Sequence, residues 1–87
     1  MYVILCYDVR SRRVGKMRKT VKKFLRPVQR SVFEGFLSEG KLKQLKAEIE
    51  TLVNCEEDSV RIYRFLNLQE AKVEQLGVLE DASGLIL

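Results

Sequence analysis

The chain has 87 residues, of which 46% are hydrophobic and 32% charged, and its net charge at neutral pH is +4. This length fits one small domain, which we assign to residues 1–87. The absence of histidine excludes histidine-based triads, imidazole general bases and histidine-ligated zinc. The two cysteines are too far apart for a zinc cluster, and the five glycines are too dispersed for a phosphate-binding loop.

Neither a signal peptide nor a membrane span is predicted. The apolar start of the chain ends at Asp8 and Arg10, which is too early for a signal peptide. No stretch approaches the roughly 20 apolar residues that a transmembrane helix needs. Cys6 lies in a hydrophobic run, where a buried free thiol in a reducing compartment is the expected state. We therefore expect a cytoplasmic protein.

The first half of the chain predicts a strand, a basic helix and a second strand. Residues 1–9 are rich in tyrosine, valine, isoleucine and leucine and contain no turn former, which favours a strand. Residues 12–26 predict a helix, with Ser11 as its N-cap and Pro27 as its end. One apolar stripe follows the helical period in this segment: Val14, Met17, Val21, Phe24 and Leu25. Residues 28–38 predict the second strand.

The second half predicts another helix and further strands. Residues 41–53 form the helix, with Ser38 or Gly40 near its cap. Its inward residues follow the helical period: Leu42, Leu45, Ile49 and Leu52. An alternating strand and two short apolar strands come next, at residues 60–66, 77–79 and 85–87.

The order of these elements indicates an α+β domain of the ferredoxin-like class, βαββαβ with a short apolar tail. One four-stranded antiparallel sheet then carries both helices on one face. Yet the first strand is apolar on both sides, with Val3, Leu5 and Tyr7 alternating against a second set: Tyr2, Ile4 and Cys6. Because two helices cover only one face, we expect a two-fold homodimer with facing sheets. The segment 77–87 is expected to pair with the partner subunit.

The basic residues are concentrated in one part of the chain. Ten of them and no acidic residue lie between positions 10 and 30, whereas the rest of the chain holds six basic and twelve acidic residues. A helical period gathers most of these cations on the side opposite the apolar stripe: Arg12, Lys16, Lys19, Lys22, Lys23 and Arg26. This pattern favours nucleic acid as the partner, through phosphate contacts that read no sequence. A membrane surface is the weaker alternative because the helix lacks tryptophan or phenylalanine anchors, and a simple solvated helix is the third.

Asp8 ends the first strand and is the only acidic residue before Glu34. A lone carboxylate there could hold a hard divalent cation, or it could serve as an N-cap for the helix that follows. Alternation places Asp8 on the side that faces the expected partner, so that two Asp8 carboxylates would approach each other across the two-fold axis. Two such carboxylates repel unless a cation or a proton lies between them. A shared metal site is the resulting hypothesis.

Two motifs together resemble the second CRISPR-associated protein family, the small partner of the CRISPR spacer integrase. The first is Tyr7-Asp8-Val9 at the end of the first strand, and the second is Gln29-Arg-Ser-Val-Phe-Glu-Gly35. The segment Asp58-Ser-Val-Arg-Ile-Tyr63 is similar to the third strand of that family. The resemblance runs through nearly the whole chain. Some members carry an arginine just ahead of the Gln-x-Ser-Val-Phe segment, where this chain has Pro27 preceded by Arg26.

The resemblance implies a ferredoxin-like homodimer with a Mg²⁺ site, or alternatively Mn²⁺, at the strand-end aspartate. Asp8 is then the metal ligand and catalytic residue, and Arg18 matches a basic position on the first helix. The supporting motif positions are Tyr7, Ser31 and Phe33. The residues expected to bind nucleic acid are Arg12, Lys16, Arg18, Lys19, Lys22 and Arg26.

Two functions remain open at this stage. The resemblance implies a metal-dependent endonuclease that cuts single-stranded RNA or duplex DNA. It equally implies a non-catalytic adaptor in CRISPR adaptation, a dimer that binds DNA and bridges the spacer integrase. The sequence does not distinguish an RNA substrate from a DNA substrate.

Overall fold

The computed structural model describes residues 1–67 and 73–77. In chain order the elements are β1 (Tyr2–Asp8), α1 (Ser11–Val21), β2 (Arg26–Gln29), β3 (Val32–Phe36), α2 (Glu39–Glu50) and β4 (Ser59–Phe65). The strands form one antiparallel sheet in the order β2-β3-β1-β4. This βαββαβ arrangement confirms the predicted ferredoxin-like α+β fold.

The hydrophobic core lies between one face of the sheet and the two helices. The alternate residues Val3, Leu5 and Tyr7 of β1 are buried there, and Phe33 of β3 lies beside them. The helices contribute their apolar stripes to the same core: Met17 and Val21 from α1, and Leu42, Leu45 and Ile49 from α2. The alternate residues of the strands and the apolar stripes of the helices are therefore buried in the same layer.

The opposite face of the sheet carries no helix in the described part of the chain, and we call it the open face. Residues directly opposite each other in antiparallel strands share a face, so the register identifies its members. Ile4 of β1 lies between Glu34 of β3 and Tyr63 of β4. Tyr2 lies opposite Phe36, which is 62% exposed. The open face is thus partly apolar, as the two-sided pattern of the first strand predicted.

The predicted single strand at 28–38 is wrong, because this segment forms a hairpin. It contains the second half of β2 and all of β3, joined by a turn at Arg30 and Ser31. The ladder between the two strands is irregular between Pro27 and Gln29. The turn holds no Gly, Pro, Asn or Asp, and Ser31 is the weaker kind of turn former, so the sequence signal for the break is weak.

The predicted helix at 12–26 is too long, because α1 ends at Val21. The following turn keeps Leu25 in the core, with its N–H bonded to the Val21 carbonyl at 2.9 Å. The apolar spacing therefore continues after the backbone has left the helix. Pro27 does not end the helix but lies in β2, an edge strand, where its missing N–H is tolerated.

The predicted caps are half right. Ser38 is the N-cap of α2, and its hydroxyl accepts a hydrogen bond from the Lys41 N–H at 3.1 Å. Arg10, not Ser11, is the N-cap of α1, and it makes no side-chain capping bond. Ser11 is instead the first helical residue.

The remaining predicted boundaries differ by one to three residues. The helix predicted at 41–53 is observed at Glu39–Glu50, and the strand predicted at 60–66 is observed at Ser59–Phe65. The predicted strand 85–87 and most of 77–79 lie outside the described residues, as does most of the segment expected to pair with a partner. Within the described ranges, no helix is long and apolar enough to cross a membrane.

Two valines on α1 test the orientation of this helix. Val21 is fully buried, whereas Val14, two turns earlier in the predicted stripe, is 38% exposed. Val21→Ala removes two buried carbon atoms and leaves a cavity, so the free energy of unfolding should fall by about 2–3 kcal/mol. The same change at Val14 should stay within about 0.5 kcal/mol. Urea unfolding at one fixed protein concentration measures both, and equal losses would contradict this orientation.

Candidate functional site

Asp8 is the last residue of β1, and its side chain is exposed on the open face. It lies opposite Ser59 of β4. It makes no hydrogen bond or ion pair with any residue that the structure describes. A shallow depression of about 270 Å³ surrounds it, lined by Cys6, Tyr7, Asp8, Ser59, Arg61 and Tyr63. Asp8 is thus an accessible carboxylate without a partner, which is what a ligand for an added cation requires.

The chemistry of Asp8 fits a hard divalent cation such as Mg²⁺ or Mn²⁺, which prefers carboxylate oxygens. One subunit, however, supplies an incomplete ligand set. Within residues 1–67 and 73–77, no group of three or more histidine, cysteine, aspartate or glutamate side chains could hold a metal ion. A second Asp8, from a partner whose open face is turned toward this one, would add another carboxylate. The alternative role of Asp8 as the helix cap is wrong, because Arg10 is the N-cap of α1 and no side chain makes a capping bond there.

The three motif residues, Tyr7, Ser31 and Phe33, contact one another at the end of β1. Tyr7 and Phe33 are buried and stack in the core, with ring centroids 5.9 Å apart. The Tyr7 N–H donates to the Ser31 carbonyl at 3.1 Å, which ties the end of β1 to the β2–β3 turn. These contacts hold the backbone of the residue directly before Asp8, so the motif positions the carboxylate through packing.

Five of the six predicted nucleic-acid-binding residues lie together on α1 and at its C-cap, Lys22. With Gly15 they line a depression of about 530 Å³, which we call the basic groove: Arg12, Gly15, Lys16, Arg18, Lys19 and Lys22. Lys16, Lys19 and Lys22 are exposed. Arg18 is half-buried, with its guanidinium 5.7 Å from the Phe33 ring centroid. The three lysines therefore supply the exposed charge of this surface, and Arg18 also contributes to packing.

Arg26 does not belong to the basic groove, which corrects its predicted place on the helix. It lies in β2 on the open face, and its Nη2 donates to Glu34 Oε1 at 2.8 Å. Glu34 is buried and also accepts a hydrogen bond from the Tyr2 hydroxyl. Burial, together with this bond, holds the pKa of Tyr2 well above its usual range. Arg26 is thus an internal charge partner within the sheet.

The basic groove and the depression at Asp8 are separate. No residue lines both of them. Asp8 is on the open face, whereas α1 covers the opposite face of the same sheet. The structure therefore does not bring the strand-end carboxylate and the helix cations into one pocket of one subunit.

A cluster of ion pairs around Asp58 anchors the start of α1. Arg13 Nε donates to Asp58 Oδ2 at 2.5 Å, and the N–H groups of Arg10 and Asn54 each donate to this carboxylate at 2.9 Å. Glu57 adds ion pairs to Arg12 and Arg13 at 2.9 and 2.8 Å. The first turn of α1 contains no acidic residue, so these two carboxylates from the α2–β4 loop supply the negative charge that a helix N-terminus favours.

Sequence reasoning missed this cluster and also missed the neighbours of Asp8 on β4. The second omission had a usable signal. In β4, Val60 and Ile62 pack against the core, so strand alternation assigns Ser59, Arg61 and Tyr63 to the open face. For the pairing of Arg13 with Asp58, the sequence offered only one indication. The first turn of α1 has no acidic residue, so its negative charge had to come from another part of the chain.

Comparisons with known proteins agree on one family. The family model described as CRISPR associated protein Cas2 matches residues 1–73. The CRISPR-associated endoribonuclease Cas2 of Thermotoga maritima is 45% identical over 86 residues, which cover 99% of each chain. The CRISPR-associated endonuclease Cas2 of Halalkalibacterium halodurans is 37% identical over 83 residues, covering 88% of this chain and 86% of that one.

Solved structures give the same result. A crystal structure described as cas2 has a TM-score of 0.81 at 37% identity and covers 100% of this chain and 98% of its own. The crystal structure of Streptococcus pyogenes Cas2 at pH 6.5 has a TM-score of 0.77 at 26% identity, covering 88% of this chain and 100% of that one.

The Asp58 cluster predicts how stability depends on pH. The hydrogen bond from Arg13, followed by the backbone bonds from Asn54 and Arg10, holds the pKa of Asp58 well below its usual range. A carboxyl group whose pKa is depressed on folding stabilises the protein above its unfolded-state pKa of about 3.9, and this stabilisation is lost as the pH falls further. Asp58→Asn should therefore be less stable than the wild type at pH 7, with the difference closing below about pH 4.

Thermal unfolding between pH 2.5 and 7 measures this difference. Glu56→Gln is the matched control, because Glu56 lies in the same loop, is exposed, and makes no ion pair in the described part of the chain. It should follow the wild type at every pH. A deficit in Asp58→Asn that stays constant down to pH 2.5 would contradict the role assigned to Asp58.

Proposed function

Because this chain belongs to the Cas2 family of CRISPR-associated proteins, we propose that it is a homodimeric, metal-dependent endonuclease whose catalytic residue is Asp8. The observation that carries the proposal is the position of Asp8, a strand-end carboxylate on the open face that has no partner among the described residues. RNA is the first substrate to test, because several relatives are named endoribonucleases. Duplex DNA is the second, since another relative is named an endonuclease without further specification.

The proposed dimer buries the open faces of two subunits against each other. Phe36 and Tyr63 are 62% and 44% exposed on this face, so a second copy would remove apolar surface from water. Such a partner would also turn its own Asp8 toward this subunit. Two carboxylates at close range repel each other, and a cation bound between them would relieve this repulsion.

The chain's own residues would bind and orient the reacting groups. Asp8 and Asp8 of the partner subunit would hold the metal ion, and the packing of Tyr7 on Phe33 would keep Asp8 in place. When bound, Mg²⁺ or Mn²⁺ supplies Lewis-acid stabilisation of the charge that develops on a phosphodiester. The buried ring of Tyr7 lies in the core, so we assign it to positioning and not to proton transfer.

The catalytic role of Asp8 is tested by cleavage of labelled single-stranded RNA and labelled duplex DNA, with and without Mg²⁺. Asp8→Ala removes the proposed metal ligand, so its cleavage in Mg²⁺ should fall to the level that the wild type shows without metal. Glu56→Gln, which removes an exposed carboxylate that does not line the depression around Asp8, is the control and should cut as the wild type does. The substrate that the wild type cuts identifies the activity. Equal cutting by wild type and Asp8→Ala, or none by either, would refute the catalytic proposal.

A second function is favoured by the separation of the basic groove from Asp8. We propose that the dimer also binds duplex DNA through α1 and serves as an adaptor for the CRISPR spacer integrase in the cytoplasm. This function needs the exposed lysines of α1 and does not need Asp8. The two proposals are compatible, because they use different surfaces of the same subunit.

The DNA-binding proposal is tested with two triple variants of equal charge. One variant replaces Lys16, Lys19 and Lys22, on α1 and at its C-cap, by alanine. The other replaces Lys41, Lys43 and Lys46 on α2, and all six lysines are exposed. If the α1 lysines contact phosphates, the slope of log affinity against log salt for duplex DNA should fall by about 2–3 units in the first variant. The α2 variant should keep nearly the wild-type slope. Equal slopes in the two variants would mean that binding follows net charge alone.

A further inference from the structure

Arg61 lies in the same depression as Asp8. The register places it opposite Cys6 on the neighbouring strand, and Ser59, two residues earlier, lies opposite Asp8. Both side chains therefore point from the open face at the same end of the sheet. Arg61 is exposed, and it lines the depression together with Ser59 and Tyr63.

Arg61 differs from most arginines of this chain in its partners. Arg13, Arg26 and Arg64 each form an ion pair with a carboxylate. Arg61 forms none with any described residue, and its side-chain hydrogen bond goes to Tyr63, which raises the pKa of the guanidinium. A permanently charged guanidinium that has no carboxylate partner among the described residues is suited to an anion from outside the chain.

The proposed endonuclease needs such a group. The Asp8 carboxylates would hold the metal cation. Phosphodiester cleavage also builds negative charge on the non-bridging oxygens, which needs a positively charged group. A guanidinium presents a planar fork that matches two phosphate oxygens at once. Since β4 is the edge strand of the described sheet, a nucleic-acid strand could reach Arg61 from the side without crossing the sheet.

We propose that Arg61 binds the phosphate that lies next to Asp8 and is a substrate-binding residue of the Asp8 site. The inference rests on the endonuclease function proposed above and adds a second residue to that site. It assigns to Arg61 a role distinct from that of the lysines in the basic groove, which lie on the other side of the sheet.

The experiment compares Arg61→Ala and Arg61→Lys with a matched control, Arg64→Ala. Arg64 is on the same strand but points to the other face, where it pairs with Glu39. The first measurement is the binding of labelled single-stranded RNA in EDTA over a range of NaCl concentrations, where no metal-dependent cleavage occurs. The second is cleavage of the same RNA in Mg²⁺, and sedimentation of each variant reports its oligomeric state.

Loss of one phosphate contact should lower the slope of log affinity against log salt by about 0.7 for a single strand. Arg61→Ala should show this change, while Arg61→Lys, which keeps the charge, and Arg64→Ala should keep the wild-type slope. In Mg²⁺, Arg61→Ala should reduce kcat/KM by about 100-fold, as expected for removal of a donor to developing charge. Arg61→Lys should fall in between, because it keeps the charge but loses the fork.

The outcomes separate this inference from the function on which it rests. If the wild type cuts RNA and Arg61→Ala matches it in slope and rate, the role of Arg61 is refuted and the nuclease stands. If the wild type does not cut but Arg61→Ala lowers the slope, the nuclease proposal fails on RNA and the phosphate contact is supported. Dissociation of Arg61→Ala into monomers, with Arg64→Ala still dimeric, would overturn the proposal by assigning Arg61 to the subunit interface.

Discussion

Two helices can cover only one face of a four-stranded sheet, and the rest of this structure depends on which face they cover. Because Val3, Leu5 and Tyr7 are buried under the helices, the even-numbered residues of β1 point the other way and Asp8 is left exposed. A shift of one residue in this strand would bury Asp8 and expose Tyr7. The strict alternation of β1 therefore ties core packing to the placement of the carboxylate, and the buried stack of Tyr7 on Phe33 supports the residue next to it.

The basic character of α1 creates a structural problem that a distant loop solves. A helix with cations and no acid in its first turn is unfavourable at its N-terminus, where negative charge is preferred. Asp58 and Glu57 supply that charge and pair with Arg12 and Arg13. The lysines farther along α1 have no ion pair with a described carboxylate, so their charge stays available to an external polyanion. Anchoring is thus the task of the first turn, and the proposed nucleic-acid binding is assigned to the lysines that follow it.

The errors in the predicted fold have a common cause. The apolar spacing that predicted a helix to residue 26 was correct about burial, since Leu25 is in the core, but wrong about the backbone, which leaves the helix after Val21. The hairpin turn at Arg30 and Ser31 was missed because hydrophobic pattern reports which residues are buried and not how the chain connects them. Ser38, in contrast, was one of two predicted caps, with Gly40, and this prediction was possible because its hydroxyl bonds to an N–H only three residues away.

The sequence by itself determined those properties that depend on neighbours along the chain. These include the two faces of β1, the side on which Asp8 lies, the gathering of cations on α1 and the overall ferredoxin-like order of elements. Only the tertiary structure decided which charges pair, Asp58 with Arg13 and Glu34 with Arg26, and that Asp8 and Arg61 line one depression. The physical reason is that alternation and helical period are local and repeat along the chain. The pairing of charges across 45 residues of chain, by contrast, depends on the register of strands and the packing of loops, which no local pattern records.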